Sequence, residues 1–328
     1  MTITNAPIER VLFPTDFSAF SAQALRHALA LTRKFKARLK VIHVIPQIMQ
    51  AGESMYVTAP WLLTPEARKE VEEQMRRFMS PAREAHLDYE VEVCEGDPWR
   101  EILGAAEKMK ADLVVMGTHG RGGLERLFLG SVAEKLIRRL PCPVLTLSHE
   151  EGRTWEAPGL VTRILCATDF SDTSAEALAF ALSLAEKNQA VITLLHVVDN
   201  LPDIGDPRYP SLPVLSQLRE DYEKSALERL ARTIEPFAGK TVKIEARVAV
   251  GRAYKEILRL AVEERADLIV IGAQGHGPVE HLISGSNAQH VIRQATCPVL
   301  TVRPVAFQKP SGEDPPHGLA LASPPEPH

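Results

Sequence analysis

Gly117 to Ser131 reads GTHGRGGLERLFLGS, and it follows Ala111 to Met116, ADLVVM. An apolar run short enough to be a buried strand ends in a glycine-rich loop. Two glycines stand three apart (Gly117, Gly120), nine residues intervene, and Gly130-Ser131 then opens a helical pattern. Glycines let a backbone approach a ligand closely. A helix start adds unpaired N–H groups and the positive end of the helix dipole. Strand, glycine loop and helix start together suit a phosphate. The device occurs again. Ala266 to Ile271 (ADLIVI) leads into Gly272, Gly275, Gly285 and Ser286 at identical internal spacing.

Working outward from that pair, the whole chain repeats itself once. RVLFPTDFS at Arg10–Ser18 matches RILCATDFS at Arg163–Ser171, and KVIHVI at Lys40–Ile45 matches TLLHVV at Thr193–Val198. GDPWREIL from Gly96 matches GRAYKEIL from Gly251. LGSVAEKLIRRLPCPVLTL from Leu129 matches SGSNAQHVIRQATCPVLTV from Ser284. The offset between copies grows by two residues after the second strand, so one half carries a short insertion there. This is one duplicated domain, not a short-period solenoid.

Each half alternates strand and helix patterns. In the first, strands are expected over 11–15, 39–45, 89–93, 113–116 and 144–147, with helices over 20–35, after Pro65, after Asp97 and over 131–139. Apolar Leu25, Ala28 and Leu29, with Thr32, share one face of the first helix. Pro81, and Pro236 in the second half, should end or kink the second helix. Asp97-Pro98 reads as an N-cap acid followed by proline in the first turn. Alternation of this kind predicts an α/β fold with parallel strands and right-handed crossovers. Each half is then an open, five-stranded, doubly wound Rossmann-like sheet with helices on both faces. Ligands bind such sheets beyond the carboxyl ends of the strands, where strand order reverses. Asp16 ends the first strand and Gly117 the fourth, so neighbouring strands there would place both in one crevice. The expected organisation is a first domain over 1–148, a linker over 149–161, a second domain over 162–305 and a disordered Pro-rich tail over 306–328.

Composition narrows the function. The chain has 328 residues, 45% hydrophobic and 24% charged, and a formal net charge of −4. That balance offers no broad basic surface for nucleic acid or acidic lipid. The opening MTITNAPIERV lacks a signal-peptide pattern, and no apolar run spans a membrane, so a cytoplasmic location is expected. Cys94, Cys142, Cys166 and Cys297 form no CxxC pair and read as small buried hydrophobes. Neither GxxxxGK[ST] nor a GxGxxG opening the first helix is present.

The G-x2-G-x9-G-[ST] pattern, with Asp closing the first strand, resembles the universal stress protein family. The likeness covers both halves and includes PTDFS, HVI, ADLVVMGTHG and GSVAEKLIRRLPCPVL, so the chain is similar to tandem members. Family members that keep the glycine pattern bind ATP. The resemblance implies an ATP site in each half, with Mg²⁺ able to accompany the phosphates. Thr15, Asp16, Val44, Met116 and Gly117 would border adenine and ribose, and Gly120, Gly130, Ser131 and Val132 would hold phosphates. The matching set is Thr168, Asp169, Val197, Ile271, Gly272, Gly275, Gly285, Ser286 and Asn287. The second half departs at Ala167, Gln274 and Asn287, where the first has Pro14, His119 and Val132.

Several residues have plainer readings. His43 and His196 lie within strands and read as satisfied core histidines. Ser18 and Ser171 can cap the first helix of each half, and Thr173 with Glu176 has capping-box spacing, which leaves Asp16 and Asp169 freer for ligand. Ser131 can cap its helix or donate to a ligand. His119, Arg121 and Arg126 are loop residues, either solvated or near phosphate. The segments after the second strands, with Met49, Met55, Tyr56, Trp61 and Tyr209, are lids or plain loops. No positioned base, nucleophile–base pair or carboxylate cluster is evident. The reading is therefore an ATP-binding stress-response sensor or regulator. A slow ATPase or phosphotransferase using His119 or Asp16, and a nucleotide-free scaffold, stand as alternatives. The family likeness also implies pairing of the fifth strands, here between the two halves, with homodimerisation and an unidentified regulatory protein partner left open.

Overall fold

A computed structural model describes residues 8–46, 65–118, 129–147, 161–199, 213–239, 241–273 and 286–303. The expected lids, the linker up to residue 160 and the tail lie outside these residues, as do His119, Gly120, Arg121, Arg126, Gln274, Gly275 and Gly285.

The first half runs β1 (Arg10–Pro14), α1 (Ala19–Phe35), β2 (Arg38–Pro46), α2 (Pro65–Phe78), α3 (Ser80–Glu84), β3 (Tyr89–Gly96), α4 (Pro98–Met109), β4 (Leu113–Gly117), α5 (Ser131–Arg139) and β5 (Val144–Leu147). The second runs β6 (Arg163–Ala167), α6 (Asp172–Asn188), β7 (Val191–Val198), α7 (Pro213–Ile234), β8 (Lys243–Val250), α8 (Ala253–Glu263), β9 (Leu268–Gly272), α9 (Ser286–Gln294) and β10 (Val299–Val302). Pro81 acts as expected. α2 stops at Phe78 and α3 restarts with proline in its first turn. Pro236 sits in a single 3₁₀ turn, Glu235–Phe237, that closes α7.

All ten strands join one sheet in the order β3-β2-β1-β4-β5-β10-β9-β6-β7-β8. Within each half every pairing is parallel, as crossover helices demand. β5 and β10 pair antiparallel, with Val299 opposite Thr146 and Thr301 opposite Val144. The strands of the two halves therefore run in opposite directions, and their carboxyl ends lie at opposite edges of the sheet. Strand order reverses between β1 and β4, and again between β6 and β9.

Strands buried on both faces favour near-continuous apolar runs, and β4, β5 and β10 read so, with one threonine each in β5 and β10. One core layer packs α1, α2, α6 and α7 on the sheet through residues such as Leu25, Met75, Leu178 and Leu230. The other packs α4, α5, α8 and α9 through Ile102, Leu136, Ile257 and Val291. Both layers run unbroken across the β5–β10 seam. There the buried Thr146 hydroxyl donates to the Val299 carbonyl at 3.1 Å, while its counterpart Thr301 Oγ1 is buried without a hydrogen-bond partner. The Arg303 guanidinium donates to the Arg138 carbonyl, tying the end of the second half to the last turn of α5.

One start signal needs correction. Asp97 takes the N-cap position of α4, but its side chain makes no capping bond. Its carboxylate faces Arg100 at 3.8 Å instead.

Candidate functional site

At the end of β1 the chain makes a compact turn. Thr15 N–H donates to the Ile42 carbonyl of β2 at 2.9 Å, which extends the sheet by one rung. Phe17 then adopts φ 62°, a left-handed conformation uncommon for a bulky residue. Local bonds hold it there. Phe17 N–H donates to Thr15 Oγ1 at 3.0 Å, and the Phe17 ring stacks on His43 with centroids 4.2 Å apart. His43 lies with Nδ1 2.7 Å from the Thr15 carbonyl, so that nitrogen carries the proton and donates. The histidine is a core residue, as expected, and it also clamps the turn that presents Asp16.

Ser18 caps α1 by accepting from Ser21 N–H. The aspartate is nonetheless not left idle. Asp16 Oδ1 accepts from Ser18 N–H at 3.0 Å and from the Ser21 hydroxyl at 2.5 Å. Burial pushes this carboxyl up, but the serine hydrogen bonds outweigh it and hold it below the ordinary aspartate value. Asp16 is thus an oriented carboxylate acceptor and a weak base.

β4 brings the second wall. Val11 pairs with Leu113 and Leu12 with Val114, so Thr15-Asp16 and Met116-Gly117 leave the sheet side by side. Gly117 packs against the first turn of α1. A Cβ there would lie 3.3 Å from Phe20 Cβ and 3.4 Å from its backbone carbon. Thr118 is buried, and its N–H and hydroxyl both donate to the Leu147 carbonyl at 3.0 and 3.2 Å. Gly130 N–H donates to the Thr118 carbonyl at 2.8 Å. That bond fastens the start of α5 to the end of β4.

Gly130, not Ser131, is the N-cap of α5. Ser131 is the first helical residue, so of its two readings the capping one is excluded and donation to a ligand stays open. The Gly130 amide is spent on Thr118. The amides of Ser131 and Val132, by contrast, belong to the first turn and have no intrahelical acceptor. Val44 follows His43 on β2, the strand beside β1. Among the described residues, Thr15, Asp16, Val44, Met116, Gly117, Gly130, Ser131 and Val132 thus belong to the carboxyl-end edge of β2-β1-β4 and the helix start tied to it.

The second half repeats the construction at the opposite edge of the sheet. Phe170 has φ 64° and stacks on His196 at 4.5 Å, and His196 Nδ1 lies 2.9 Å from the Thr168 carbonyl. Asp169 Oδ1 accepts from Ser171 N–H at 3.0 Å and from the Ser171 hydroxyl at 2.5 Å. Ser171 caps α6, so the Thr173–Glu176 capping box is corrected: Thr173 lies inside the first turn. β6 and β9 are paired, which brings Thr168-Asp169 beside Ile271-Gly272. Val197 lies on β7, and Ser286-Asn287 open α9. The two turns differ in what covers the phenylalanine. Phe78 meets Phe17 edge-on at 5.5 Å, whereas Arg229 Cζ sits 3.9 Å over Phe170. Burial, with Arg229 adding repulsion, lowers the His196 pKa against the opposing pull of the Thr168 carbonyl and Asp169.

Two features of the site do not follow from the sequence pattern. The phenylalanines after Thr-Asp are left-handed in both halves, and only their repetition signals it. Asp112 and Asp267, before the fourth strand of each half, are the second. Asp112 Oδ2 accepts from Glu9 N–H and Arg10 N–H at 3.0 and 2.9 Å, and Asp267 Oδ2 from Thr162 N–H and Arg163 N–H at 2.8 and 3.0 Å. Each acid pins the start of one strand beside the switch point.

Fold and strand order together define a tandem α/β protein with a crevice at each of its two switch points. The universal stress protein family profile matches residues 7–148 and 161–303, and the chain belongs to that family. A universal stress protein of Methanocaldococcus jannaschii is 39% identical over 140 residues, covering 42% of this chain and 81% of the relative. One from Mycolicibacterium smegmatis is 26% identical over 297 residues, covering 90% and 97%. A universal stress protein crystal structure from Archaeoglobus fulgidus aligns with TM-score 0.68 at 24% identity, over 90% of this chain and 98% of that one, which supports the shared fold.

Proposed function

We propose that the protein is a cytoplasmic ATP-binding regulator with one nucleotide site per half. The observation that carries this is the meeting of Asp16, Gly117 and the first-turn amides of α5 at one switch point, stapled by the Gly130–Thr118 bond. Their chemistry matches the parts of ATP. An oriented carboxylate accepts from ribose hydroxyls or the adenine amine. A glycine leaves backbone within reach of the sugar, and helix-start amides receive phosphate. Gly120 completes the loop on this reading, and Mg²⁺ accompanies the phosphates. Asp169, Gly272, Ser286 and Asn287, with Gly275 and Gly285, form the second site.

Binding rather than turnover is the reading. Asp16 is held as a low-pKa carboxylate, a poor candidate for a general base. The paired fifth strands make the chain a dimer of halves in itself. ATP titration by calorimetry tests the proposal, using the wild type and the Asp16→Ala and Asp169→Ala variants. Each variant should lose or sharply weaken one class of site. Unchanged binding in both would remove the aspartates from the ligand contact.

A further inference from the structure

The outer face of α5 carries a feature that the nucleotide reading does not use. Trp99, in the first turn of α4, packs its ring partly into the core beside α5. Three cations surround that ring: Arg139 Cζ at 4.5 Å, Arg100 Cζ at 5.2 Å and Lys135 Nζ at 5.5 Å from its centroid. All three residues are exposed. Arg100 keeps a distant contact with Asp97 at 3.8 Å, and nearby Glu134 is taken by Arg138 at 2.7 Å. A cation on an exposed ring contributes only about 0.5–1 kcal/mol. Gathering three like charges on one indole adds repulsion, so folding stability does not explain the cluster.

The duplicated half provides an internal comparison. At the matching places it has Tyr254, Lys255, His290 and Gln294, and its ring stacks on His290 at 4.4 Å. The same scaffold thus holds together with the two α5 cations replaced by His290 and Gln294. The chain as a whole carries −4, which makes the Trp99 patch a local reversal of sign. Trp and Arg on a rigid surface are the residue types that dominate protein interfaces.

We propose that the Trp99–Arg100–Lys135–Arg139 surface docks an acidic, extended segment of a partner protein. Lys135 and Arg139 stand one helical step of four residues apart on the exposed side of α5. That step is about 6 Å, the reach of roughly two extended peptide residues. Carboxylates pair with the fanned cations, and an apolar side chain covers the exposed edge of the indole. A nucleic acid fits less well, because phosphate-driven binding draws on roughly six to ten contacts and the patch offers about half that. The surface stands whether or not ATP binds.

The test is titration of the full chain with an oligoglutamate peptide containing one leucine, followed by calorimetry and by the Trp99 indole N–H resonance. Binding should shift that resonance and weaken with added salt. The Lys135→Glu/Arg139→Glu variant should bind at least roughly tenfold more weakly. His290→Glu/Gln294→Glu, the equivalent change in the second half, should leave affinity unaltered, and circular dichroism confirms that both variants are folded. Absence of binding at low salt, equal loss in both variants, or tighter binding of a single-stranded oligonucleotide through the same residues would each overturn the proposal.

Discussion

Replacing His27 by phenylalanine should remove a defined part of the protein's acid sensitivity. His27 lies on α1, 6% exposed, and lines an apolar cleft between α1 and α6 together with Leu31, Phe180 and Leu184. In the second half the equivalent position is already Phe180. Burial pushes the His27 pKa from 6.5 down to about 4. A depressed histidine pKa means that the unfolded chain takes up a proton that the folded chain refuses. Its stabilising contribution is intact above the unfolded pKa and is lost as pH falls from about 6.5 toward 4. Between about pH 7.5 and pH 5 the loss works out at about 2 kcal/mol, approaching about 3 kcal/mol below pH 4. Urea unfolding of wild type and His27→Phe at both pH values measures it. The wild type should lose about 2 kcal/mol more than the variant on acidification. Equal losses in the two proteins would refute the reasoning, because they would mean that His27 titrates normally in the folded state.

Other substitutions probe the seam, the turns and the crevice. Thr301→Val removes a buried hydroxyl with no partner and should be neutral or stabilising, whereas Thr146→Val removes a made bond and should cost about 1 kcal/mol, both read from urea midpoints. Gly117→Ala sets a methyl 3.3 Å from Phe20 and should cost about 1–3 kcal/mol and weaken ATP binding in calorimetry, since α1 must shift. Asp267→Ala hands the exposed amides of Thr162 and Arg163 to water and should lower stability by about 1 kcal/mol, with faster hydrogen exchange at those amides.

Much of the fold was legible because duplication and periodicity speak through backbone rules. LVVM and LIVI are continuous apolar runs suited to a strand covered on both faces, and their flanking helices favour parallel pairing. α5 and β5 have the bounds that the sequence pattern implies. Cap chemistry was harder to read. Asp97, Ser131 and Thr173 are all good capping types at helix starts, yet Asp97 holds the N-cap without making the bond, and Ser131 and Thr173 lie one and two residues past it, a choice of backbone geometry that composition does not encode. The placement of the candidate residues at strand ends was legible, since the adjacency of β1 and β4 sets Asp16 beside Gly117. Its internal bonding was not. Asp16 and Asp169 look available in the sequence, and only coordinates show Oδ1 taken by serine donors from residues two to five positions ahead. The left-handed Phe17 and Phe170 escaped notice for a related reason. A bulky residue is held at positive φ by tertiary support, in this case a histidine from the neighbouring strand.

Two nucleotide sites at opposite edges of one sheet are the central claim, and ATP stoichiometry tests it most directly. Calorimetric titration of wild type should give two sites per chain. Gly130→Asp and Gly285→Asp, each placing a carboxylate at a phosphate-facing helix start, should leave one site apiece. No heat of ATP binding in a folded wild-type chain, or two sites surviving in both variants, would contradict the account.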